Sequence, residues 1–213
     1  MNYIVFDTET TNGFDNPFLY DLGWAILNED FEVIEARSFV NADIFLDKEM
    51  MANAYFADKI PQYWRDIKSG KRELKTFYNI LKAFREDVKN YEVEWVIAHN
   101  ARFDYKSCSD TQRWLTKSKY RRFFPYGVKV ACSLDMATQV LSQNEDYISF
   151  CRENDFMRSK NYPRLTAEIL YRYLTNDVNF EESHTGLEDV MIEKVIAKYC
   201  LDHGAILRPY WER

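Results

Sequence analysis

Three short motifs hold the residues of this chain whose types and spacing could do chemistry. Asp7 and Glu9 stand two apart in Asp7-Thr8-Glu9-Thr10-Thr11, directly after the unbroken apolar run Tyr3 to Phe6. Residues i and i+2 of a strand share a face, so both carboxylates point one way, roughly 7 Å apart along the chain. Such a pair can bracket one hard cation and share a second. Packing gives a fully apolar strand no reason to end in two carboxylates, although a solvated loop after the strand would also show them.

The second motif is Ala98-His99-Asn100-Ala101-Arg102-Phe103-Asp104. A buried strand ends, Asn100 suits a helix N-cap, and Asp104 falls at the end of the first turn. The helix dipole alone favours an acid there. The place, beyond the carboxyl end of a strand, is also where ligand sites in open α/β sheets gather. The third motif is His184-Thr185-Gly186-Leu187-Glu188-Asp189. Thr185 and Glu188 have capping-box spacing, which starts the last long helix at Thr185. His184 then lies just outside the helix and Asp189 within it, about 7 Å apart along the axis. Asp189 is placed to hold a cation and His184 to reach water on it; a solvated histidine before a helix is the plainer alternative.

The elements that must position these groups follow from periodicity. Tyr3 to Phe6 reads as a central strand covered on both faces. Leu22 to Leu27 and Phe31 to Val40 read as a hairpin turning at Asn28-Glu29-Asp30. From Asp47 to about Tyr91 the spacing is helical, broken near Ser69-Gly70-Lys71. Val93 to Ala98 is a short buried strand, Asn100 to Lys117 a helix, Val128 to Leu134 a fifth strand and Asp135 to Leu141 a helix. Gln143 to Tyr162 is polar and mixed in charge, and is expected to be an irregular surface insertion. Leu165 to Leu174 and Leu187 to Leu201 are amphipathic helices. The class is α/β with a mixed sheet.

The 213 residues suit a single domain spanning 1–213, and 46% hydrophobic with 29% charged residues is a globular composition. No basic stretch leads into an apolar segment and no run nears ~18 apolar residues, so neither a signal peptide nor a membrane span is expected. Cys108, Cys132, Cys151 and Cys200 are scattered without a Cys-x-x-Cys pair, which speaks for reduced, buried thiols and, by default, a cytoplasmic location. A net charge of −6 argues against general attraction to polyanions, so any such partner needs a local basic patch. Lys117 to Lys129, K-S-K-Y-R-R-F-F-P-Y-G-V-K, could guide a single strand, or be a solvated loop whose Phe residues enter the core. Arg152, Arg158, Lys160 and Arg164 form a looser patch. His99 and His203 read as structural, and the tail Ile206 to Trp211 as packing on its own domain.

Taken in order, Asp-x-Glu-x-Thr, Asn-x-x-Phe-Asp and His-x-x-x-x-Asp resemble the DEDDh signature of the DnaQ-like 3′–5′ exonucleases over nearly the whole chain. The resemblance implies a ribonuclease H-like fold: a mixed five-stranded sheet flanked by helices, with helical insertions. It implies that Asp7, Glu9 and Asp189 bind one of two divalent cations, Mg²⁺ or Mn²⁺. Asp7 also meets the second cation, with Asp104 in support, the two ions lying ~3.5–4 Å apart. His184 is then the general base, and main-chain groups around Thr10 and Thr11, with Asn100 and Phe103, meet the substrate. The implied partner is nucleic acid with a free 3′ end, single-stranded DNA first, with nucleoside 5′-monophosphates released in proofreading, repair or phage-type replication beside a polymerase or replication partner. RNA trimming and a non-catalytic nucleic-acid-binding module stay open. The chain departs from the pattern where Asn12 separates Thr11 from Gly13, where Gly186 replaces a common Ala, and in the length of Asp47 to Lys75.

Overall fold

The computed structural model describes residues 1–12 and 16–212; Gly13 lies outside the described residues. In chain order the elements begin with strands β1 (Asn2–Thr11), β2 (Phe18–Leu27) and β3 (Val33–Asn41). Helices α1 (Ala42–Phe45) and α2 (Lys48–Met51), a single 3₁₀ turn (Ala57–Lys59) and α3 (Ile60–Ser69) follow. Next come β4 (Glu73–Lys75), α4 (Phe77–Asn90), β5 (Val93–Ala98), α5 (Ala101–Thr116) and β6 (Lys129–Cys132). The last third holds α6 (Ser133–Leu141), α7 (Glu145–Glu153), β7 (Met157–Ser159), β8 (Tyr162–Pro163), α8 (Ala167–Thr175) and α9 (Gly186–Asp202).

The main sheet runs β4-β3-β2-β1-β5-β6. β2 is antiparallel to β1 and β3, while β1, β5 and β6 run parallel and β4 runs parallel to β3. The five strands expected from periodicity are present, and β4 adds a sixth. Its three residues, paired with Phe39 to Asn41, are too few to carry a period of their own. Helices cover both faces, which is why β1 begins without polar alternation. Ile4, Phe6, Leu22, Trp24 and Ile26 pack with Ile80 and Phe84 of α4 on one face; Val5, Ala25 and Ile97 pack with Val190, Ile196 and Ala197 of α9 on the other. A third cluster, Tyr20, Val40, Ile44, Phe45, Met51 and Tyr63, belongs to the segment around α1 to α3.

Gln143 to Tyr162 is not irregular. Asn144 caps α7 by accepting the Tyr147 N–H at 2.9 Å, Tyr147 and Cys151 lie buried one turn apart, and β7 and β8 pair as a hairpin. The dense charge of the segment hid that spacing. In Lys117 to Lys129, Phe123 and Phe124 enter the core, whereas Tyr120 and Tyr126 are exposed. The four cysteines are free and buried, and no helix among the described residues is long and apolar enough to cross a membrane.

One contact fixes the position of α9. A Cβ on Gly23 of β2 would stand 2.3 Å from the Leu187 nitrogen, and one on Gly186 would stand 2.8 Å from the Gly23 nitrogen. Both obstacles are backbone, so two glycines are what lets the helix start press on the strand. An alanine at position 186 does not fit this spacing. Gly23→Ala is therefore expected to cost ~1–3 kcal/mol or more, as overpacking does. Urea unfolding monitored by circular dichroism measures it, and wild-type stability would contradict the contact.

Candidate active site

A cleft of about 1280 Å³ opens beyond the carboxyl ends of β1 and β5, and Asp7, Glu9, Asp104, His184 and Asp189 all line it. The structure thus brings together the five residues singled out by the three motifs. Asn100 and Phe103 line the cleft as well. Thr10 and Thr11 do not: their side chains are buried, and the Thr10 carbonyl accepts the Tyr55 N–H at 3.2 Å.

Local structure explains each placement. Asp7 and Glu9 share the face of β1 that looks toward α9, while Thr8 looks the other way and donates to Asp104 Oδ1 at 2.9 Å. Asn100 occupies the N-cap position of α5 but makes no side-chain capping bond; its backbone is left-handed, with φ 59°. His184 is likewise left-handed, with φ 52°. Each of these non-glycine conformations costs about 1–3 kcal/mol, and both flank the cleft. The His184 ring stacks on Phe56, centroids 4.2 Å apart and planes 10° apart.

The capping box expected at Thr185 is replaced by another arrangement. Thr185 Oγ1 donates to Glu188 Oε2 at 2.9 Å, and the Asp189 carboxylate accepts the Thr185 N–H at 2.9 Å. Glu188 turns away from the cleft to Lys71, at 2.7 Å, and Arg72. Burial opposes its charge, but those cations outweigh burial and hold its pKa down to about 2.

Among the described residues, the carboxyls of Asp7, Glu9, Asp104 and Asp189 form no ion pair with a lysine or arginine. Burial first, then the neighbouring acids, raises Asp7 and Glu9 well above the usual carboxylate range. Burial likewise lifts Asp104 to about 7, against the Thr8 hydrogen bond that lowers it, and Asp189 to about 8, with Glu182 adding to the rise. Burial lowers the His184 pKa, which keeps its imidazole neutral. Glu9, His184 and Asp189 present ligand atoms within 4.8 Å of one another, as do Glu168, Glu182 and His184. Carboxylates gathered this closely, without an ion-paired lysine or arginine, suit a hard divalent ion.

Of the cleft acids that escaped the reading of the sequence, Glu193 and Glu182 lie nearest in the chain to the third motif. Glu193 is buried, accepts the His99 N–H at 3.0 Å, and is raised by burial and by Asp104. Its signal was the spacing Asp189-x-x-x-Glu193, which puts both acids on one face of α9. Glu182, two residues before His184, is lifted to about 7 by burial and Glu168. His99 is structural as expected, although it borders the cleft. Its Nε2 lies 2.9 Å from the Leu165 carbonyl and its Nδ1 3.0 Å from Ser133 Oγ, and burial lowers its pKa to about 4.

With this geometry the chain can be set beside known structures. Exonuclease I from Methylocaldum szegediense superposes over 95% of this chain and 41% of its own, with TM-score 0.57 and 14% identity. The zinc-ion-bound E. coli exonuclease I–single-stranded DNA complex covers 92% of this chain and 39% of its own, with TM-score 0.54 and 17% identity. The fold is shared with these exonuclease I chains. Exonuclease X in complex with 5′-overhanging duplex DNA also aligns, over 96% of this chain and 93% of its own, at TM-score 0.48 and 13% identity. This chain spans about two-fifths of the exonuclease I chains it matches. No family model matches it, and no curated protein does.

The raised pKa values have a thermodynamic consequence. A folded-state pKa above the unfolded one contributes stability that is whole below the ordinary carboxylate range and lost as pH rises through the folded value. For Asp104 and Asp189 that loss runs up to about 7 and about 8. His99 acts oppositely: its pKa is lowered, so its contribution fades as pH falls from its ordinary value toward about 4. In chelator, Tm is therefore expected to fall between pH ~6 and ~8, and Mg²⁺ or Mn²⁺ is expected to raise it most at the alkaline end. Differential scanning calorimetry with and without EDTA checks this, and a Tm that rises with pH in EDTA would contradict it.

Proposed function

We propose that this chain is a divalent-cation-dependent 3′–5′ exonuclease that removes nucleoside 5′-monophosphates from single-stranded DNA, in replication or repair. The observation that carries the reading is the set of carboxyls in one cleft, Asp7, Glu9, Asp104 and Asp189, lifted by burial and ion-paired with no lysine or arginine among the described residues. An all-oxygen donor set of this kind suits Mg²⁺ or Mn²⁺. Exonuclease I, whose fold this chain shares, is described bound to single-stranded DNA and, in one form, to zinc ion.

Asp7, Glu9 and Asp189 would hold one cation, and Asp7 with Asp104 a second. Bound there, such ions supply an activated water and stabilise the oxygens of the displacement at phosphorus. The chain's own residues do the rest. His184, kept neutral by burial, takes the proton of the attacking water, and its stack on Phe56 limits the orientations of the ring. Thr8 fixes the Asp104 carboxylate, while Ser183, donating to Oδ1 at 3.2 Å, and the Thr185 N–H fix that of Asp189. Asn100 and Phe103, on the cleft wall, meet the terminal nucleotide.

The decisive assay uses 3′- and 5′-labelled single-stranded DNA and RNA with Mg²⁺, Mn²⁺ or EDTA. Digestion from the 3′ end of DNA is expected, abolished by EDTA and by Asp7→Ala. His184→Ala is expected to lower kcat by about 10²–10⁴-fold while leaving cation binding, followed by calorimetry, intact. Cleavage that survives EDTA would sink the cation-dependent reading, and faster digestion of RNA would transfer the substrate to that polymer.

A further inference from the structure

The cleft has a second wall of different chemistry. Besides its acids it is lined by Arg158, Ser159, Tyr162 and Arg164, which belong to the β7–β8 hairpin and the residue after it. Both arginines are exposed, and among the described residues neither guanidinium has an ion-pair or hydrogen-bond partner. Arg172 of α8, by contrast, pairs with Glu168 at 2.7 Å and lies over the Phe156 ring. Tyr162, 62% exposed, lines the same cleft, pairs with Ser159 in the hairpin and precedes Arg164 by two residues.

The hairpin is anchored, so its arginines are presented from a fixed base. Met157 pairs with Pro163 and Ser159 with Tyr162. The Arg164 N–H donates to the Phe156 carbonyl at 3.0 Å, and the Tyr147 hydroxyl of α7 donates to the Arg164 carbonyl at 2.5 Å. Both Arg164 backbone groups are thus committed to holding the segment, and the side chain is left to the cleft.

We infer that the β7–β8 hairpin is a phosphate-binding wall, on which Arg158 and Arg164 grip the backbone of a nucleic-acid strand whose 3′ end lies among the carboxylates. This rests on the nuclease reading and extends it by naming where the rest of the strand is held. A strand of repeated phosphates is the ligand class that can meet cation-bound carboxylates and two free guanidiniums at once. Planar guanidinium groups suit phosphate oxygens, and an adjacent exposed ring suits a base. In a chain of net charge −6, a local pair of this kind supplies attraction that the whole molecule lacks.

The test compares the full-length protein with Arg158→Gln/Arg164→Gln and Arg158→Lys/Arg164→Lys. Anisotropy of a short labelled single-stranded oligonucleotide, made resistant by a phosphorothioate at its 3′-terminal linkage, is followed against salt. Cleavage of the ordinary oligonucleotide is compared with that of the p-nitrophenyl ester of thymidine 5′-monophosphate, which has no upstream phosphates. The Gln pair is expected to weaken binding about tenfold and to flatten the log Kd–log salt slope by about 1.4, two contacts' worth for a single strand. Its loss of kcat/KM on the oligonucleotide is expected to exceed that on the ester by about tenfold, and the Lys pair is expected to restore the slope. An unchanged Kd and slope, or equal losses on both substrates, would overturn the inference. Wild-type protein that cleaves neither substrate would instead overturn the nuclease reading, and the binding arm would still decide whether the hairpin holds phosphates.

Discussion

The start of α9 presses against the backbone of β2, and the rest of the structure depends on that approach. Two glycines, Gly23 and Gly186, leave no side chain between the elements. Asp21, fully buried beneath them, accepts the Gly186 N–H at 2.9 Å and the Tyr63 hydroxyl at 2.7 Å. Its charge is met by Arg72 at 3.2 Å, and Arg72 also reaches Asp66 and Glu188. Breaking a buried pair of this kind typically costs about 3–5 kcal/mol, because an uncompensated charge stays behind. Arg72 arrives from the turn after α3, so the long segment from Asp47 to Lys75 contributes the cation that secures α9. Once α9 is seated, His184 and Asp189 have no choice but to face Asp7 and Glu9.

Glu188 and Asp189 are chain neighbours with opposite fates. Glu188 faces Lys71 and Arg72 and is held down to about 2; Asp189 faces other acids and rises to about 8. A helix places adjacent residues on different sides, so one turn serves both architecture and chemistry. The architectural acids, Asp21, Asp66 and Glu188, are satisfied within the chain. The cleft acids are left in a state that only protons or added cations relieve.

Most of this was legible because the signals were strong and local. The apolar run before Asp7 and Glu9, the strand Val93 to Ala98 and the helix beginning near Thr185 follow from period and composition alone. What escaped depends on distant partners. β4 exists because Phe39 to Asn41 offers an edge, not because Glu73-Leu74-Lys75 prefers to be extended. α7 and the following hairpin were hidden by charge that lies on their outer side. Asn100 was expected to cap with its side chain, whereas the structure uses its tolerance for a left-handed backbone. Glu193 was passed over because an acid in the middle of a helix is ordinary until the helix is known to be buried on that face.

The two ends of the sheet also differ from its middle in what they offer to other chains. Beyond β6 the C-terminal tail folds back: Pro209 bridges Ala131, and the Tyr210 N–H donates to the Val130 carbonyl at 2.9 Å. At the other end β4 presents only three residues. An open edge is a template for unwanted strand pairing, and proteins commonly blunt it by covering or shortening it. Here one edge is covered and the other is short. The tail thus engages hydrogen-bonding groups of the β6 edge, at Val130 and Ala131, that would otherwise be open to a foreign strand.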